Sequence, residues 1–239
     1  MMERKQMLYE GKAKRLFAVD QEDVVLVEFK NDATAFNGAK KGQIEHKGAL
    51  NNQISTLLFD VLHQKGIHTH FVEKLSDTEM LVKKVTIVPL EVVTRNIIAG
   101  SLSKRLGQEE GTVLKQPVVE FYYKDDALGD PLINRSHALA LELATREEMD
   151  QLESQALAIN AILREFLREK GIDLIDFKLE FGRLPSGEIV LADEISPDTC
   201  RFWDLESREK LDKDRFRRDL GNVEEAYQEI YRRIKGETL

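Results

Sequence analysis

Residues 172–182 read IDLIDFKLEFG, and this stretch decides how we expect the chain to fold. In a β-strand, successive side chains point to opposite faces of the sheet. One face of this segment carries apolar side chains, from Ile175, Phe177, Leu179 and Phe181. The other face carries charged side chains about 7 Å apart along the strand, from Asp176, Lys178 and Glu180. The segment therefore predicts a strand with one face in the core and a row of charges on the other.

A second strand, EIVLADE at residues 188–194, is predicted to pair with the first through the turn RLPSG. Its alternation places Ile189, Leu191 and Asp193 on one face, so an apolar row ends in a carboxylate. The hairpin is expected to bring Asp193 beside the charged row. Carboxylates on adjacent strands repel each other unless a cation lies between them, and Mg²⁺ prefers such hard oxygen ligands. The alternative is a solvent-exposed strand face whose charges pair weakly.

Two further segments carry cations in positions that suit phosphate groups. In YEGKAKRLF, residues 9–17, Lys12 and Lys14 share one face of a predicted strand, and Gly11 lets the backbone approach a ligand. In residues 87–107, Arg95 ends an apolar strand, and Ser101 is expected to cap a short helix, a combination that suits a phosphate. The alternatives are lysines that protect a sheet edge, and simple capping beside a surface arginine.

The order of predicted elements favours the α+β class. A β-hairpin is expected at the start of the chain, with strands at residues 8–19 and 24–31 joined by the turn DQED. Further strands are expected at residues 70–73, 80–85, 91–95, 172–182 and 188–194, and long helices at residues 44–65, 146–170 and 213–235. Residues 124–137 are rich in turn formers and are expected to form a loop. We expect a small N-terminal sheet domain, residues 1–85, followed by a larger domain, residues 86–239.

Composition narrows the function. The 239 residues carry a net charge of −8, whereas a general nucleic-acid binder is more often basic, so nucleic-acid binding is not expected. We find no apolar run long enough to span a membrane and no apolar segment typical of a secretory signal near the N-terminus. The single cysteine, Cys200, precludes an intramolecular disulfide. These features predict a cytoplasmic protein without a membrane partner.

Two long segments resemble the signature segments of the SAICAR synthetase family. They are VPLEVVTRNIIAGS, residues 88–101, and IDFKLEFG, residues 175–182. Shorter segments resemble the same family and extend the resemblance over essentially the whole chain: YEGKAK, SDTEMLVKK, SPDTCRFWD and DKDRFR. The length is typical of the short, single-function bacterial form of this family.

The resemblance implies an α+β fold in which an N-terminal antiparallel sheet domain is similar to the small lobe of protein kinases. A second α+β domain is similar to ATP-grasp enzymes, with ATP in the cleft between them. The implied activity is an ATP- and Mg²⁺-dependent ligation in purine biosynthesis. It joins L-aspartate to the carboxylate of carboxyaminoimidazole ribotide (CAIR) through an acyl phosphate, and gives SAICAR, ADP and phosphate. The family also implies a homodimer.

The resemblance further implies a role for individual residues. Those expected to bind ATP are Gly11, Lys12, Ala13 and Lys14 over the triphosphate, Lys83 and Val85 at the adenine, and Glu180 and Asp193, which would also hold Mg²⁺. Those expected to bind the ribotide substrate are Arg95, Ser101, Arg201, Lys213 and Arg215. Asp176 and Lys178 would be the catalytic residues, at the imidazole end of the substrate. Lys124 and Asp130 are candidates for binding L-aspartate.

Two other functions fit part of the same pattern. A small-molecule kinase would also use the row of Asp176, Lys178 and Glu180 with a later carboxylate, and it would produce ADP without requiring L-aspartate. A regulatory nucleotide-binding module would bind ATP and turn nothing over. Three carboxylates around a phosphate argue against a module that only binds.

Overall fold

The computed structural model describes residues 3–35 and 39–237, and it has the α+β architecture predicted from the sequence. Its two main sheets are antiparallel. Among the described helices, none is long and apolar enough to cross a lipid bilayer.

The first sheet comes from the N-terminal third of the chain. Its strands are β1 (Met7–Glu10), β2 (Lys14–Ala18), β3 (Val24–Phe29), β6 (Phe71–Lys74) and β7 (Glu79–Lys83), in the spatial order β1-β2-β3-β7-β6. The short strands β4 (Asp32–Ala35) and β5 (Lys40–Gln43) pair separately, and helix α1 (Lys47–Gln64) follows them. The predicted hairpin is therefore three strands, because residues 11–13 form an additional tight turn between β1 and β2.

The second sheet has six strands. They are β8 (Thr86–Ile97), β9 (Val113–Tyr123), β10 (Leu132–Ile133), β11 (Ile172–Arg183), β12 (Ile189–Ala192) and β13 (Cys200–Asp204). Strand β11 pairs along one edge with β8, and along the other edge with β13 and then β12. This register places Asp176 opposite both Arg95 and Arg201, and Glu180 opposite Ala192.

The remaining helices are α2 (Gly100–Leu106), α3 (Arg135–Ala140), α4 (Arg146–Glu169), α5 (Asp214–Arg217) and α6 (Val223–Lys235). The two long helices predicted at residues 44–65 and 146–170 are confirmed as α1 and α4. The single helix predicted over residues 213–235 is wrong, because the chain breaks it into α5 and α6. Asp219, Gly221 and Asn222 have positive φ there, which a continuous helix does not allow. The predicted loop at residues 124–137 also contains β10 and the start of α3.

The alternation predicted for β11 holds over most of its length. Phe177, Leu179 and Phe181 lie in the main core. The pairing register with β13 shifts between Leu174 and Asp176, so Leu174 belongs to the main core and Ile175 does not. Ile175 packs instead in a small cluster with Ile97, Ala99 and Trp203. Ile175 is buried as predicted, but the predicted common face with Phe177, Leu179 and Phe181 is wrong, because strict alternation cannot anticipate a bulge.

A single buried core connects the two sheets. It extends from Val25 and Val27 on β3, through Phe59 on α1, to Leu191 on β12 and Leu163 on α4. The backbone also connects the sheets, through a parallel bridge between Thr69 and Leu191. The proposed boundary after residue 85 lies between β7 and β8, and the division into two domains stays a prediction.

Candidate active site

Two adjoining cavities lie between the sheets. The larger has a volume of about 650 Å³ and the smaller about 370 Å³. They share Glu91, Lys178 and Lys213 in their walls, so a ligand in one cavity faces a ligand in the other across these side chains. The pair of cavities therefore suits two reactants that must meet.

The larger cavity has an apolar wall and a charged end. The apolar wall includes Leu16, Val25, Val27, Val82 and Ile87. The cavity is also lined by every residue that the sequence predicted for ATP, namely Gly11, Lys12, Ala13, Lys14, Lys83, Val85, Glu180 and Asp193. A side chain at Gly182 of β11 would collide with Val85, so this glycine lets Val85 lie against the strand. The predicted nucleotide residues are thus brought together, and their role stays a prediction.

The charged end of the larger cavity is a lysine cluster, formed by Lys14, Lys124 and Lys178 with Glu91, Glu180, Asp193 and Glu194. The ammonium of Lys178 lies 2.5 Å from Glu180, 3.0 Å from Glu91 and 3.7 Å from Asp193. Lys14 is in ionic contact with Asp193 and lies 2.9 Å from Glu194. Lys124 lies 3.0 Å from Glu180. Each carboxylate is therefore balanced by at least one ammonium.

The charges in this cluster stabilise one another against burial. Burial by itself lowers the pKa of Lys178, but Glu180, Asp193 and Glu91 outweigh it and hold that pKa well above its usual value. Burial likewise raises the pKa of Asp193, and Lys14 and Lys178 more than reverse the effect, so this pKa lies below its usual range. For Glu91 burial prevails and the pKa is raised. These contacts therefore favour the charged form of Lys178, which faces both cavities.

Asp193 reaches the cluster by a route that alternation does not predict. Ile189 and Leu191 point into the main core, so an extended continuation of β12 would point residue 193 into the core as well. Asp193 has a φ of 62°, and this left-handed conformation allows its carboxylate to meet Lys14 and Lys178. The predicted neighbour of Lys178 is thus present, but the predicted common face with Ile189 and Leu191 is wrong.

The oxygen ligands of the cluster fit Mg²⁺. Glu180 and Asp193 both contact the ammonium of Lys178, so their carboxylates lie close together. Among the described residues, no group of three or more His, Cys, Asp or Glu side chains is arranged to hold a metal ion. Mg²⁺ is usually bound through one or two protein carboxylates together with substrate phosphates and water, and Glu180 and Asp193 could supply the two carboxylates.

The smaller cavity is lined by Arg95, Arg201, Arg217 and Asp176. Together with Glu120 and Asp214, which pair with these arginines, they form an arginine cluster. Arg95 donates to Asp176 at 2.6 Å, to Glu120 at 2.7 Å and to the Ser101 hydroxyl at 3.2 Å. Arg201 donates to Asp176 at 2.9 Å and to Asp214 at 3.0 Å. Asp176 therefore pairs with arginines, whereas Lys178 pairs with Glu91, Glu180 and Asp193.

Two local features position these groups. Ser101 lies inside α2, whose N-cap is Ala99, so the predicted capping role is wrong and its hydroxyl serves Arg95 instead. Gly100 has a φ of 55°, and a side chain at this position would collide with the Arg201 guanidinium. Gly100 therefore allows Arg201 to lie beside Asp176.

Lys213 and Arg215 were also predicted to bind the ribotide, and only Lys213 lines the two cavities. Lys213 lines both, and burial lowers its pKa, an effect that Asp198 partly offsets. Arg215 lines neither of the cavities that the described residues form. Its guanidinium is held by Glu209 at 2.7 Å and by the carbonyls of Lys210 and Gly221. Arg217, two residues later on α5, lines the smaller cavity instead.

Sequence reasoning also missed residues that only packing reveals. Asp198 lines both cavities, and its carboxylate is held by Lys47 at 2.7 Å and by the Tyr227 hydroxyl at 2.7 Å. His70 lines the larger cavity, and burial lowers its pKa to about 4. Asp198 lies in the segment SPDTCRFWD, which resembles the family. Lys47 and His70 lie outside every segment that resembles the family, and no local pattern marked either of them as a site residue.

Comparison with known proteins identifies the family. The sequence profile of SAICAR synthetase matches residues 7–234. The phosphoribosylaminoimidazole-succinocarboxamide synthase of Brevibacillus brevis is 62% identical over 236 residues, which is 99% of each chain. The crystal structure of the same enzyme from Ehrlichia chaffeensis has a TM-score of 0.95 at 47% identity, covering 98% of this chain and 100% of the other. A SAICAR synthetase in complex with ADP has a TM-score of 0.94 at 51% identity, covering 98% and 99%. This chain therefore belongs to the SAICAR synthetase family.

Proposed function

We propose that the two cavities together form the active site of an ATP-dependent ligase that joins L-aspartate to CAIR. Family membership confirms the activity predicted from the sequence, which is the phosphoribosylaminoimidazole-succinocarboxamide synthase step of purine biosynthesis. The observation that carries the assignment of residues is the shared wall of the cavities, where Lys178 faces both.

ATP belongs in the larger cavity. The apolar side chains suit the adenine, and the lysine cluster lies where the triphosphate would end. The SAICAR synthetase solved with ADP supports nucleotide binding by this fold. Glu180 and Asp193 would hold Mg²⁺, which neutralises phosphate charge when it is bound. Lys12, on the turn between β1 and β2, and Lys14, the first residue of β2, would bind the phosphates from the side of the N-terminal sheet.

CAIR belongs in the smaller cavity. Arg95, Arg201 and the Ser101 hydroxyl suit the ribotide phosphate, because they line the smaller cavity with positive charge and a hydroxyl donor. Lys213 and Arg217 line the same cavity and add positive charge. This arrangement directs the imidazole carboxylate of CAIR toward Lys178 and the larger cavity. We include Arg217 in the site in place of Arg215.

The reaction then has two steps. An oxygen of the CAIR carboxylate attacks the γ-phosphorus of ATP, and the bond to the bridging oxygen breaks to release ADP. The amine of L-aspartate attacks the carbonyl carbon of the acyl phosphate, the bond to the phosphate oxygen breaks, and the amine loses a proton as the amide forms. Lys178 and Lys14 offset the negative charge that gathers between the two substrates. Closure of the two sheets around the substrates would limit access of water to the acyl phosphate.

The test measures ADP release by purified protein with Mg-ATP and CAIR, with and without L-aspartate. The proposal requires release that depends on both substrates, with SAICAR formed in equal amount. Release with CAIR alone would indicate a kinase or hydrolysis of the acyl phosphate. Bound ATP without any release would indicate a regulatory module and would contradict the ligase assignment.

The family resemblance also supports a homodimer and a cytoplasmic location, and we include both in the proposal. Light scattering of the purified chain would give the mass of the assembly. Fractionation of cells that produce the protein would locate it.

A further inference from the structure

The backbone of Asp193, the residue after β12, has a left-handed conformation that an extended strand does not produce. Asp193 has a φ of 62°, in the region that residues other than glycine adopt at an energetic cost. Its carboxylate meets Lys14 and Lys178 only because the chain departs from the extended conformation here. A strained residue persists where its surroundings over-determine it. Some neighbour must therefore hold Asp193 in place.

That neighbour is His70. Its Nε2 lies 3.1 Å from the backbone carbonyl oxygen of Asp193. Because a carbonyl can only accept, Nε2 carries the proton and donates it. Gln or Leu at position 70 would fill similar space, but of these two only Gln could donate from a corresponding atom.

The imidazole of His70 is fixed from several sides. It is 5% exposed, and its ring packs edge-on against the Phe59 ring of α1, with 5.7 Å between the centroids. Its backbone N–H donates to the carbonyl of Leu191 at 2.7 Å, and its own carbonyl accepts from Lys83 at 2.6 Å. His70 is therefore a rigid donor at the point where β7 of the first sheet meets β12 of the second.

We propose that His70 is a positioning residue of the lysine cluster, which holds Asp193 in its left-handed conformation through the Nε2–H to carbonyl hydrogen bond. This inference rests on the proposed function, in which Asp193 holds Mg²⁺ and faces the phosphates. His70 acts through the backbone of Asp193 and so couples the junction of the two sheets to the orientation of that carboxylate.

The experiment compares His70→Leu, which removes the donor, with His70→Gln, which restores it. For His70→Leu we expect kcat to fall by about tenfold, the usual scale for loss of a partner that orients a metal ligand. The Mg²⁺ concentration for half-maximal activity should rise, while KM for CAIR stays unchanged. His70→Gln should recover most of kcat. His63→Leu is the control, because the His63 imidazole hydrogen-bonds Thr69 rather than the site.

A second readout does not depend on turnover. Calorimetry of ADP binding with and without Mg²⁺ should show that His70→Leu loses affinity in the presence of Mg²⁺ only. Equal loss without Mg²⁺ would indicate direct contact with the nucleotide and would overturn the proposal. The proposal would also be overturned if kcat and the affinity for ADP with Mg²⁺ were unchanged in His70→Leu. Equal losses of kcat in the Leu and Gln variants would overturn it as well. If His70→Leu does not fold, His70→Asn replaces it, since its amide is one methylene too short.

The same assays separate this inference from the assignment of function. Wild-type protein that makes no SAICAR would contradict the ligase. Wild-type protein that makes SAICAR, with a His70→Leu variant equal to it in kcat and Mg²⁺ dependence, would contradict only the role of His70.

Discussion

The lysine cluster and the arginine cluster meet the same requirement in different ways. Both bury charges beside a cavity, and both balance those charges with partners of opposite sign. In the lysine cluster, the single ammonium of Lys178 is shared among three carboxylates at 2.5–3.7 Å. In the arginine cluster, Arg95 uses separate N–H groups for Asp176, Glu120 and Ser101.

The difference follows from the chemistry of the two cations. An ammonium is a compact charge on a flexible stem and can exchange a carboxylate for a phosphate with little change in geometry. A guanidinium is planar and has donors in fixed directions, so each of its bonds supports the others. We therefore expect the lysine cluster to exchange partners during the reaction and the arginine cluster to keep its arrangement.

The largest expected effect comes from removing charge in the lysine cluster. Lys178→Ala and Asp193→Asn should each lower kcat by about 10²- to 10³-fold, the scale for removing a group that offsets transition-state charge. Both variants should fold, since Lys178 and Asp193 lie at the cavity wall rather than in the apolar core. Steady-state kinetics measures the loss of kcat, and circular dichroism tests whether each variant is folded. A variant with near-normal turnover would remove that residue from the mechanism.

Breaking the arginine cluster should cost stability as well as activity. Arg95→Met leaves Asp176 and Glu120 short of a partner, and both carboxylates are largely buried. We expect a loss of about 2 kcal/mol in the free energy of unfolding, because Asp176 and Glu120 keep Arg201 and Arg105 as partners but each loses one charge-assisted hydrogen bond in a buried site. Urea denaturation measures it. Lys124→Met is the matched control, since Lys124 is 40% exposed, and an equal loss there would contradict the comparison.

Two substitutions on α5, Arg217→Met and Arg215→Met, test which of these arginines contacts the substrate. Arg217→Met should raise KM for CAIR by about tenfold, through loss of a charge-assisted hydrogen bond to the substrate. Arg215→Met should leave KM unchanged and lower the stability, because its guanidinium holds the carbonyls of Lys210 and Gly221. Kinetics and thermal unfolding of both variants decide the matter. A raised KM for CAIR in Arg215→Met, with an unchanged KM in Arg217→Met, would show that Arg215 rather than Arg217 contacts the substrate.

The smallest effect is expected from an ion pair outside both clusters. Glu110 accepts from Arg218 and Lys210, and these contacts lower its pKa to about 2 from an ordinary value of 4.5. Because the pKa is lower in the folded state, the ionised form favours folding above pH 4.5, and this contribution disappears as the pH falls through about 2. Glu110→Gln should cost at most about 1 kcal/mol at pH 7, as partly exposed pairs do. Denaturation at several pH values should show the difference shrinking toward pH 2.

Much of the site could be predicted because its residues lie on regular strands. The period of two in β11 placed Lys178 and Glu180 opposite Phe177 and Leu179, and the structure agrees. The prediction failed at Ile175 and Asp193, where a bulge and a left-handed residue change the phase of the strand. Such local departures depend on the neighbours that stabilise them, and those neighbours are distant in sequence.

The choice between Arg215 and Arg217 shows another limit. Both arginines lie in the same short segment, DKDRFR, and α5 is only Asp214–Arg217. In so short a helix the direction of each side chain depends on what surrounds it. Glu209 and the carbonyl of Gly221 hold Arg215, while Asp214 holds Arg217 beside the smaller cavity. Spacing within the segment does not carry that information.

The sequence by itself determined the fold class, the long helices, the family, and the charged row opposite a core face. These follow from short-range periodicity and from the order of residue types along the chain. Only the tertiary structure decided which charges meet, because the contacts of Asp193 with Lys14, of Asp198 with Lys47, and of His70 with Asp193 join segments more than 100 residues apart. Local patterns specify elements, whereas packing of the two sheets around one core brings these distant groups together.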